Sequence, residues 1–347
     1  MIDAPAPRFG VVLVNWNRWS DTIECLETLL RSTIPLRIVV VDNASSDGSA
    51  ERIAEWAAGA VSAQAVSPAF ADMSRPGFPK PIALRRLDAA AAATVAPDAA
   101  ALTLIDGGGN LGFAGGNNIG LGFLFRDLAI RHVWLLNNDT VVEPDAAMAL
   151  FARMEATHKV GMCGTIVRYY HRPDVVQALN GCRFNLLTGQ SRGIGEGQPG
   201  SQPFDPAKVA RETDFVLGAS LAVSRGFFET VGPMTEDYFL YFEEIDWAAR
   251  NAGRFAIAFA HGAVVYHKEG GSIGSSAVKG KRSDSSEYYL LRSRLAFIRR
   301  RAMWLLPLHW LLALGQIARR LLRLQPKKAL VLLRALLGLR MTTVSRG

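Results

Sequence analysis

One short segment, MTEDYFLYFEEIDWAAR at residues 234–250, crowds carboxylates among aromatic side chains. This density of acids is more than an ordinary core tolerates, because burying a charge costs free energy. A carboxyl group in an aromatic cleft has a raised pKa, which suits a general base. Glu243, Glu244 and Asp246 are therefore candidate catalytic bases. The alternative is a solvated acidic helix face, which the neighbouring aromatic residues disfavour.

Polar side chains also follow each of four predicted buried strands. Ligands of open parallel sheets collect beyond the carboxyl ends of the strands, so these side chains predict a lined cleft. A single strand-end carboxylate is usually a turn former or a helix cap, but four such ends in succession favour a binding site. In chain order the residues are Asn15 and Asn17, Asp42 and Asn43, Asp106 and Asn110, and Asn137 and Asp139.

Asn137 and Asp139 stand two residues apart at the end of the fourth strand. Alternate residues of an extended segment face the same way, so both side chains can address one ligand. A divalent cation held by one carboxylate, phosphate oxygens and water is the natural occupant, and a simple turn or cap is an equal alternative. His267, at the end of the short predicted strand AVVYH, is a candidate nitrogen ligand, although a lone histidine is more often just packed or solvated.

The glycine-rich segment GGGNLGFAGGNNIG at 107–120 contains the spacing Gly107-x-Gly109-x-x-Gly112. That spacing is the one argument for an NAD-dependent dehydrogenase, but the dinucleotide fingerprint should follow the first strand of a βαβ unit and here it follows the third. Glycines also let a backbone approach a diphosphate or a nucleoside closely. The amides of the segment that could bond such a ligand are Asn110, Asn117 and Asn118.

Continuous β-branched runs predict the buried strands of a parallel sheet. The first strand, helix and strand follow one another within about 35 residues, as in a βαβ unit, and Ser20 is a candidate N-cap for that helix. The segment VVEPDAAMAL, which follows Thr140, is predicted to be helical. The predicted strands are 10–17, 36–41, 101–106 and 132–139. The sequence thus predicts an α/β fold.

Charge divides the chain into an acidic body and a basic tail. Residues 279–347 carry 16 Lys and Arg and two acidic residues, a balance of +14, while residues 1–278 have a balance of −6. We therefore predict a catalytic domain over 1–278, with an Ala- and Pro-rich insertion at about 57–100 that forms a flap or arm, and a tail over 279–347. Three scattered cysteines and the absence of signal-peptide features in the first residues suit the reducing cytosol.

The tail is predicted to form amphipathic helices that lie on a membrane. Its apolar run MWLLPLHWLLAL, at 303–314, has only 12 residues, whereas spanning the hydrocarbon core takes about 20. Basic groups beside apolar runs fit an anionic lipid surface better than nucleic acid, so no nucleic-acid partner is predicted. A helical cap packed on the catalytic domain is the alternative.

Six ordered motifs resemble those of the family-2 glycosyltransferases with the GT-A fold, and among these the bacterial rhamnosyltransferases of cell-surface polysaccharide synthesis. The resemblance covers roughly residues 8 to 275. It implies a Rossmann-like, mostly parallel central sheet flanked by helices. The motifs are VVLVNWN, VVDNASSDGS, GGNLGFAGGNN, WLLNNDT, FLYFEEIDWAAR and HKEGGS.

The resemblance also implies a role for each matched position. Glu244 stands at the catalytic-base position, which Glu243 or Asp246 could share, and Asp139 and His267 would hold Mg²⁺ or Mn²⁺. Asn137 replaces an acid of the family pattern, which makes the cation site less negative, and Glu244 stands where Asp is more usual. The residues implied to bind the nucleotide sugar are Asn15, Asn17, Asp42, Asn43, Asn110, Gly112, Asn118 and Asn137. Trp247 and Arg250 follow as acceptor or diphosphate contacts.

The implied reaction is a single in-line displacement that inverts the anomeric centre. The expected donor is dTDP-rhamnose, with UDP-linked galactofuranose, glucose or GlcNAc as the alternative. The expected acceptor is a hydroxyl of a saccharide or of a lipid-linked saccharide. The basic tail would hold the enzyme at the cytoplasmic face of the plasma membrane.

Overall fold

A ten-stranded sheet forms the centre of the described chain, which comprises residues 8–269 and 283–341 of a computed structural model. Three further strands form a small second sheet. The strands are β1 (Phe9–Asn15), β2 (Leu36–Asp42), β3 (Leu84–Asp88), β4 (Leu102–Asp106), β5 (His132–Asn137), β6 (Thr140–Val142), β7 (Val160–Tyr169), β8 (Arg172–Leu179), β9 (Gly181–Asn185), β10 (Gln190–Gly193), β11 (Phe215–Val216), β12 (Ser220–Ser224) and β13 (Ala256–His267).

The central sheet has the order β3-β4-β2-β1-β5-β12-β7-β13-β6, and β8 pairs with β7. The five neighbouring strands β3, β4, β2, β1 and β5 are all parallel, and β7 and β13 form a further parallel pair. The remaining pairs are antiparallel. This mostly parallel sheet confirms the α/β class that the buried β-branched runs predict.

Helices cover both faces of the sheet, because successive residues of a strand point to opposite faces. Val11 and Leu13 of β1 pack into one buried cluster, and Val12 packs into another on the opposite face. The helices are α1 (Trp19–Leu29), α2 (Ser49–Ala58), α3 (Ala89–Ala92), α4 (Gly112–Leu124), α5 (Ala146–Ala156), α6 (Pro206–Glu212), α7 (Arg225–Val231), α8 (Glu243–Asn251), α9 (Asp284–Arg301), α10 (Leu306–Leu322) and α11 (Pro326–Leu336).

The strand register brings the polar strand ends to one edge of the sheet. Asn15 at the end of β1 pairs with Asp42 at the end of β2, and Asp42 pairs in turn with Asp106 at the end of β4. On the other side of β1, Val14 pairs with Asn137 at the end of β5. The predicted alignment of these strand ends is therefore present.

The strand that carries His267 is longer than the five residues AVVYH. β13 has 12 residues and runs parallel to β7 through most of its length. Its last residues pair with β6 in the antiparallel sense, and His267 lies opposite Thr140. This pairing brings His267 to the carboxyl end of β5, next to Asp139.

Three local predictions are wrong. The fourth strand ends at Asn137 rather than Asp139, because the chain turns there and starts the separate strand β6. The helix predicted in VVEPDAAMAL begins only at Ala146, since residues 140–142 pair with β13. The N-cap position of α1 is Arg18, with φ 63°, rather than Ser20.

The Ala- and Pro-rich stretch 57–100 contributes to the sheet rather than hanging free as an arm. Its strand β3 pairs in parallel with β4 and forms one edge of the sheet, with Asp88 opposite Asp106. Lys80, from the same stretch, bonds the buried Glu27 carboxylate at 3.0 Å.

The tail is helical, as expected, and its three helices pack on one another. Glu287 of α9 accepts from Arg320 of α10 at 2.5 Å and from Lys328 of α11 at 3.0 Å. Within residues 8–269 and 283–341, no helix has both the length and the apolar character needed to cross a membrane. The expected domain boundary at 278/279 lies outside the described residues, as does the end of the motif HKEGGS.

Candidate active site

The carboxyl end of β1 is held by a buried polar network rather than left open to a ligand. Asn15 donates from Nδ2 to Asp42 Oδ1 at 2.6 Å and to Ser45 Oγ at 3.0 Å. Its Oδ1 accepts from Thr22 Oγ1 at 2.6 Å and from Asn138 Nδ2 at 3.3 Å. Asn15 is fully buried, and its hydrogen bonds hold the ends of β1 and β2 together.

The turn after β1 has an unusual backbone at the edge of the cleft. Asn17, Arg18 and Ala44 all have φ between 55° and 63°, a left-handed range that is uncommon for residues other than glycine. Asn17 Oδ1 accepts from the Ser46 amide at 2.9 Å, and the Asn17 amide donates to Ser45 Oγ at 2.7 Å. Asn17 therefore ties the turns that follow β1 and β2 together.

A cavity of about 390 Å³ opens at the carboxyl ends of β2, β4 and β3. Asp42, Asp106 and Arg86 contribute polar groups to its wall, and Leu104 contributes apolar surface. Arg86 lies on β3 and pairs with Glu51 of α2 at 3.5 Å. The cavity stands where open parallel sheets bind their ligands.

The glycine segment links this cavity to the loop that precedes α8. Asn43 Nδ2 donates to the carbonyl of Gly112 at 2.9 Å, and the Phe113 amide donates to the carbonyl of Phe239 at 3.2 Å. Gly112 has φ 71°, and a Cβ atom there would lie 2.3 Å from the Phe239 oxygen. The close approach of Phe239 therefore explains this glycine without a pyrophosphate.

Asn110 and Asn118, both within the glycine segment, have different hydrogen-bond partners. Asn110 is exposed, and its Oδ1 accepts from the Gly112 amide at 3.1 Å. Asn118 holds the loop before α8: its Nδ2 donates to Met234 O at 2.9 Å and to Glu236 Oε1 at 2.8 Å. Asn117 is buried and bonds the carbonyl of Phe113.

Asp139 and His267 meet across the β6–β13 pair. Asp139 Oδ1 lies 3.2 Å from His267 Nε2, and Asn137 Nδ2 lies 3.3 Å from the same nitrogen. Gln177 Oε1, which can only accept, lies 3.0 Å from Nδ1, so Nδ1 carries a proton and Nε2 faces the carboxylate.

Both groups of the pair are buried, and their attraction shifts both pKa values. Burial disfavours the charged form of each, but the neighbouring imidazole lowers the pKa of Asp139 and the carboxylate raises the pKa of His267. A divalent cation bound between this carboxylate and imidazole would replace a proton, because metal ligands bind in their deprotonated form.

Asp139 and His267 fit a divalent cation for which the protein supplies only some of the ligands. One carboxylate and one imidazole with a bonded outer nitrogen are ordinary metal ligands. Among the described residues, no three His, Cys, Asp or Glu side chains cluster in a way that would enclose an ion. Diphosphate oxygens and water would therefore complete the coordination sphere.

Glu244 stands at the start of α8 and faces the chain between β11 and β12. A Cβ atom on Gly218 would lie 3.2 Å from Glu244 Oε1 and 3.5 Å from the ring of Phe113. Burial raises the pKa of Cys182 on β9 to about 12, and the Glu244 charge adds to that rise. Glu244 therefore lies between the small sheet and the start of α4.

Glu243 and Glu244 are adjacent carboxyl groups with different surroundings. Burial raises the pKa of both, and the charge of Glu244 raises the pKa of Glu243 further. Glu243 is almost fully buried, and its Oε1 finds no hydrogen-bond partner among the described residues. Ionisation is therefore disfavoured more strongly at Glu243, and Glu244, which is more exposed, is the candidate base.

Asp246 differs from both glutamates because its oxygens are fully engaged. Oδ2 accepts from Thr235 Oγ1 at 2.7 Å and from Arg250 Nε at 3.1 Å, and Oδ1 accepts from Arg301 Nε at 2.8 Å. Burial opposes its charge, but the bonds from Thr235 and Arg301 and the nearby arginine charges lower its pKa.

Trp247 and Arg250, which the sequence suggests as ligand contacts, are engaged within the fold. Trp247 is fully buried, and its indole donates to the carbonyl of Gly232 at 2.8 Å. Besides Asp246, Arg250 bonds the carbonyls of Val231 and Pro233. In this structure both residues shape the loop that precedes α8.

A short stretch of backbone links the candidate base Glu244 to the Asp139–His267 pair. Ala219, which follows Gly218, accepts from the amide of Asn137 at 3.0 Å. Glu244 is thus connected to the end of β5 through two residues, Gly218 and Ala219. The candidate base and the candidate cation site therefore lie at the same edge of the sheet.

Sequence reasoning gives no role to Arg86 and does not anticipate the backbone of the loop before α8. Phe239, Tyr241 and Phe242 have φ of 63°, 65° and 74°. No residue pattern announces positive φ at aromatic positions, since glycine and asparagine are its usual markers. Arg86 could have been found from the short strand pattern LRRLD, which ends in an acid as β2 and β4 do.

Comparison with known proteins places these features in context. Residues 6–283 match the family model described as "Glycosyltransferase like family 2". The low-salt glycan biosynthesis hexosyltransferase Agl10 of Haloferax volcanii is 26% identical over 147 residues, which are 42% of this chain and 45% of that protein. The chain thus spans less than half the length of this curated relative.

Two solved structures are similar in fold. The mannosyltransferase PcManGT from Pyrobaculum calidifontis, in complex with GDP-Man and Mn²⁺, aligns with a TM-score of 0.50 and 15% identity over 96% of this chain and 86% of that one. S. aureus TarS 1–349 in complex with UDP-GlcNAc gives 0.48 and 11% over 95% and 81%. The first likeness confirms the GT-A-like arrangement of a mostly parallel sheet between helices, with a helical region at its C-terminal end.

Proposed function

The chain belongs to the glycosyltransferase like family 2, and from that premise we propose that it transfers a sugar from a nucleoside diphosphate donor to an acceptor hydroxyl with inversion. One observation carries the proposal. The Glu244 carboxyl group and the Asp139–His267 pair lie at the same sheet edge, joined through Gly218 and Ala219.

The proposed reaction has one displacement step. Glu244 accepts the proton of the acceptor hydroxyl while that oxygen attacks the anomeric carbon of the donor sugar. The bond from the anomeric carbon to the diphosphate oxygen breaks, and its electron pair leaves with the nucleoside diphosphate. A single attack from the opposite face inverts the anomeric configuration.

Asp139 and His267, with Asn137 beside them, would hold Mg²⁺ or Mn²⁺ together with the diphosphate. A bound divalent cation supplies charge neutralisation for a departing diphosphate. The protein orients this site through Gln177, which fixes the proton of His267 on Nδ1.

The nucleoside would occupy the cavity at the ends of β2, β4 and β3. Asp42 and Asp106 offer acceptors for ribose hydroxyl or base N–H groups, and Arg86 offers donors for carbonyl oxygens of the base. Asn17, Asn43 and Asn110 then act around this cavity, mostly by holding its turns, and Asn118 holds the loop before α8.

For the donor sugar, the likeness of the ordered motifs to rhamnosyltransferases supports dTDP-rhamnose. UDP-linked galactofuranose, glucose or GlcNAc are the alternatives. GDP-mannose joins the candidates because PcManGT, similar in fold, is a mannosyltransferase solved with GDP-Man. The acceptor would be a saccharide or lipid-linked saccharide of surface glycan synthesis.

The tail would hold the enzyme on an anionic membrane surface, at the cytoplasmic face of the plasma membrane. Leu308, Leu311 and Leu314 recur at helical spacing on α10 with exposed side chains, and Trp304 before them is 75% exposed. Exposed apolar helix faces of this kind bind the membrane–water interface, and basic residues around them attract anionic lipid.

A ligand screen followed by a transfer assay tests this function. Thermal stability is measured with dTDP-rhamnose, GDP-mannose and UDP-GlcNAc, with and without Mn²⁺, because a ligand of the native state raises the melting temperature. The stabilising donor is then incubated with a saccharide acceptor, and the product anomer is read by NMR. A product that retains the donor configuration would overturn the single displacement, and NAD(H) binding in place of nucleotide sugars would restore the dehydrogenase alternative.

A further inference from the structure

The loop that leads into α8 has a backbone that requires support from outside itself. Phe239, Tyr241 and Phe242 all have positive φ, and Phe242 is the N-cap position of α8. Residues with large side chains adopt such angles only where the surroundings fix them. Glu244 is the second residue of α8, so its direction depends on this loop.

One face of α9, the first helix of the tail, supplies that support. Ser293 Oγ lies 2.8 Å from the carbonyl of Leu240 and 3.1 Å from that of Tyr238, and Ser293 is almost fully buried. The Ser286 and Tyr241 hydroxyls lie 2.8 Å apart.

Aromatic contacts continue along the same face. The rings of Tyr289 and Phe239 lie 4.8 Å apart between centroids, and those of Phe297 and Phe242 lie 5.5 Å apart. The residues of α9 in contact with the loop are Ser286, Tyr289, Ser293 and Phe297, whose separations of three, four and four residues place them on a single helix face.

The last turn of α9 also contacts α8 directly. Arg301 donates from Nε and Nη2 to Asp246 Oδ1, at 2.8 Å in each case. Asp246 is buried within the first turn of α8, two residues after Glu244, while Arg301 comes from the tail. This ion pair therefore ties the first turn of α8 to the last turn of α9.

We propose that α9 positions the general base: Arg301, through Asp246, and Ser293, through the carbonyls of Tyr238 and Leu240, hold Glu244 in its catalytic orientation. This inference rests on the proposed function of Glu244 as the base. Asp246 is then a positioning residue rather than an alternative base. The tail completes the active site, and this role is separate from any membrane contact made by α10 and α11.

The test uses full-length Arg301→Ala, Arg301→Lys and Ser293→Ala, with Arg299→Ala as the matched control, since Arg299 is exposed in the same turn of α9. Transfer to a water-soluble saccharide acceptor gives kcat and the donor KM. Amide hydrogen exchange is measured over residues 238–246 and, as an internal reference, over β1. A misplaced catalytic group costs on the order of 100-fold in rate.

We expect Arg301→Ala and Ser293→Ala to lower kcat by about 10- to 100-fold with the donor KM unchanged, and to speed exchange over 238–246 but not over β1. Arg301→Lys should recover part of kcat, and Arg299→Ala should match the parent. Unchanged exchange over 238–246 in both variants, or an equal rise over β1, would overturn the positioning role. Absence of transfer by the parent enzyme would count against the proposed function instead, because the exchange result does not depend on transfer.

Discussion

His267 Nε2 lies 3.2 Å from Asp139 Oδ1, although the two residues are far apart in the chain. The antiparallel pairing of β13 with β6 creates this contact by setting His267 opposite Thr140. The neighbouring strand β5 ends in Asn137, whose amide donates to the carbonyl of Ala219 next to the Glu244 contact at Gly218. Two strand pairings, β13 with β6 and β12 with β5, thus connect the candidate cation site with the candidate base.

We expect Asp139→Ala to abolish Mn²⁺ binding in the presence of nucleoside diphosphate. The variant removes one of the two proposed protein ligands, and loss even of an outer partner of a metal ligand typically costs 10–100-fold in affinity. Electron paramagnetic resonance of Mn²⁺ measures the binding without reference to turnover. Asp145→Ala is the control, since Asp145 is exposed and its side chain makes no capping hydrogen bond to α5 among the described residues. Parental Mn²⁺ affinity in Asp139→Ala would refute the assignment.

The raised pKa values of Glu243 and Glu244 predict the pH dependence of stability. A carboxyl group whose folded-state pKa exceeds its unfolded value favours folding below the unfolded pKa, and stability falls as pH rises through the folded pKa. Glu243→Gln removes this loss, since burial and the Glu244 charge no longer oppose ionisation there. The variant should gain about 1.4 kcal/mol at pH 7 for each pH unit of the shift, and nothing below the ordinary glutamate pKa. Urea unfolding at acidic and neutral pH measures the difference; an equal effect at both would contradict it.

Much of the fold could be predicted from short segments. The β-branched runs of β1 and β2, each ending in Asn15 or Asp42, mark buried strands whose ends share an edge. These features are local, so periodicity and residue type suffice to identify them. The position of the acidic segment before and within α8 also follows from its composition.

Long-range partners could not be predicted. Asp246 resembles its neighbours Glu243 and Glu244 in sequence. Its contacts with Thr235 and Arg250, and with Arg301 55 residues later, separate its role from theirs. Asn15 likewise looks like a ligand residue at a strand end, yet Thr22 and Asn138 turn it into a buried support. Such distinctions depend on tertiary packing, which residue spacing does not encode.

The exposed apolar face of α10 should determine binding to lipid. Trp304→Glu with Leu311→Glu removes two side chains that are 75% and 66% exposed, without touching α9. Burying one such side chain contributes about 1.5–3 kcal/mol, so the double variant should bind phosphatidylglycerol vesicles at least 10-fold more weakly. Sedimentation measures binding, and added salt should weaken the parent only in part.

Leu128→Glu is the control for the lipid experiment, because Leu128 is 84% exposed on the catalytic body. It should bind vesicles as the parent does. If the double variant at Trp304 and Leu311 also sediments like the parent, the membrane-binding surface of the protein lies elsewhere.

Alanine substitutions at two glycines with similar φ distinguish the cost of backbone strain from the cost of a steric clash. Gly48 has φ 76° with nothing within 4 Å of a built Cβ, whereas at Gly112 a Cβ would lie 2.3 Å from the Phe239 carbonyl oxygen. Gly48→Ala should cost about 1–2 kcal/mol of unfolding free energy, and Gly112→Ala at least about 3 kcal/mol. Thermal and urea unfolding measure both. Equal losses, with weakened donor binding in Gly112→Ala alone, would show that the glycine serves the ligand.

The base assignment is tested by replacing the three acidic residues of α8 one at a time. Glu244→Gln keeps size and most hydrogen bonding but accepts no proton, so single-turnover transfer should fall by about 10²–10⁴-fold. Donor affinity should remain, since the proposed nucleoside cavity lies at the ends of other strands. Glu243→Gln should keep most activity, because a neutral amide mimics the protonated carboxyl group that burial favours there. Asp246→Asn should fall between these two, because it weakens the ion pair with Arg301. Parental transfer by Glu244→Gln beside an inactive Glu243→Gln would move the base to Glu243, and full activity in all three variants would leave the single-displacement mechanism without a base.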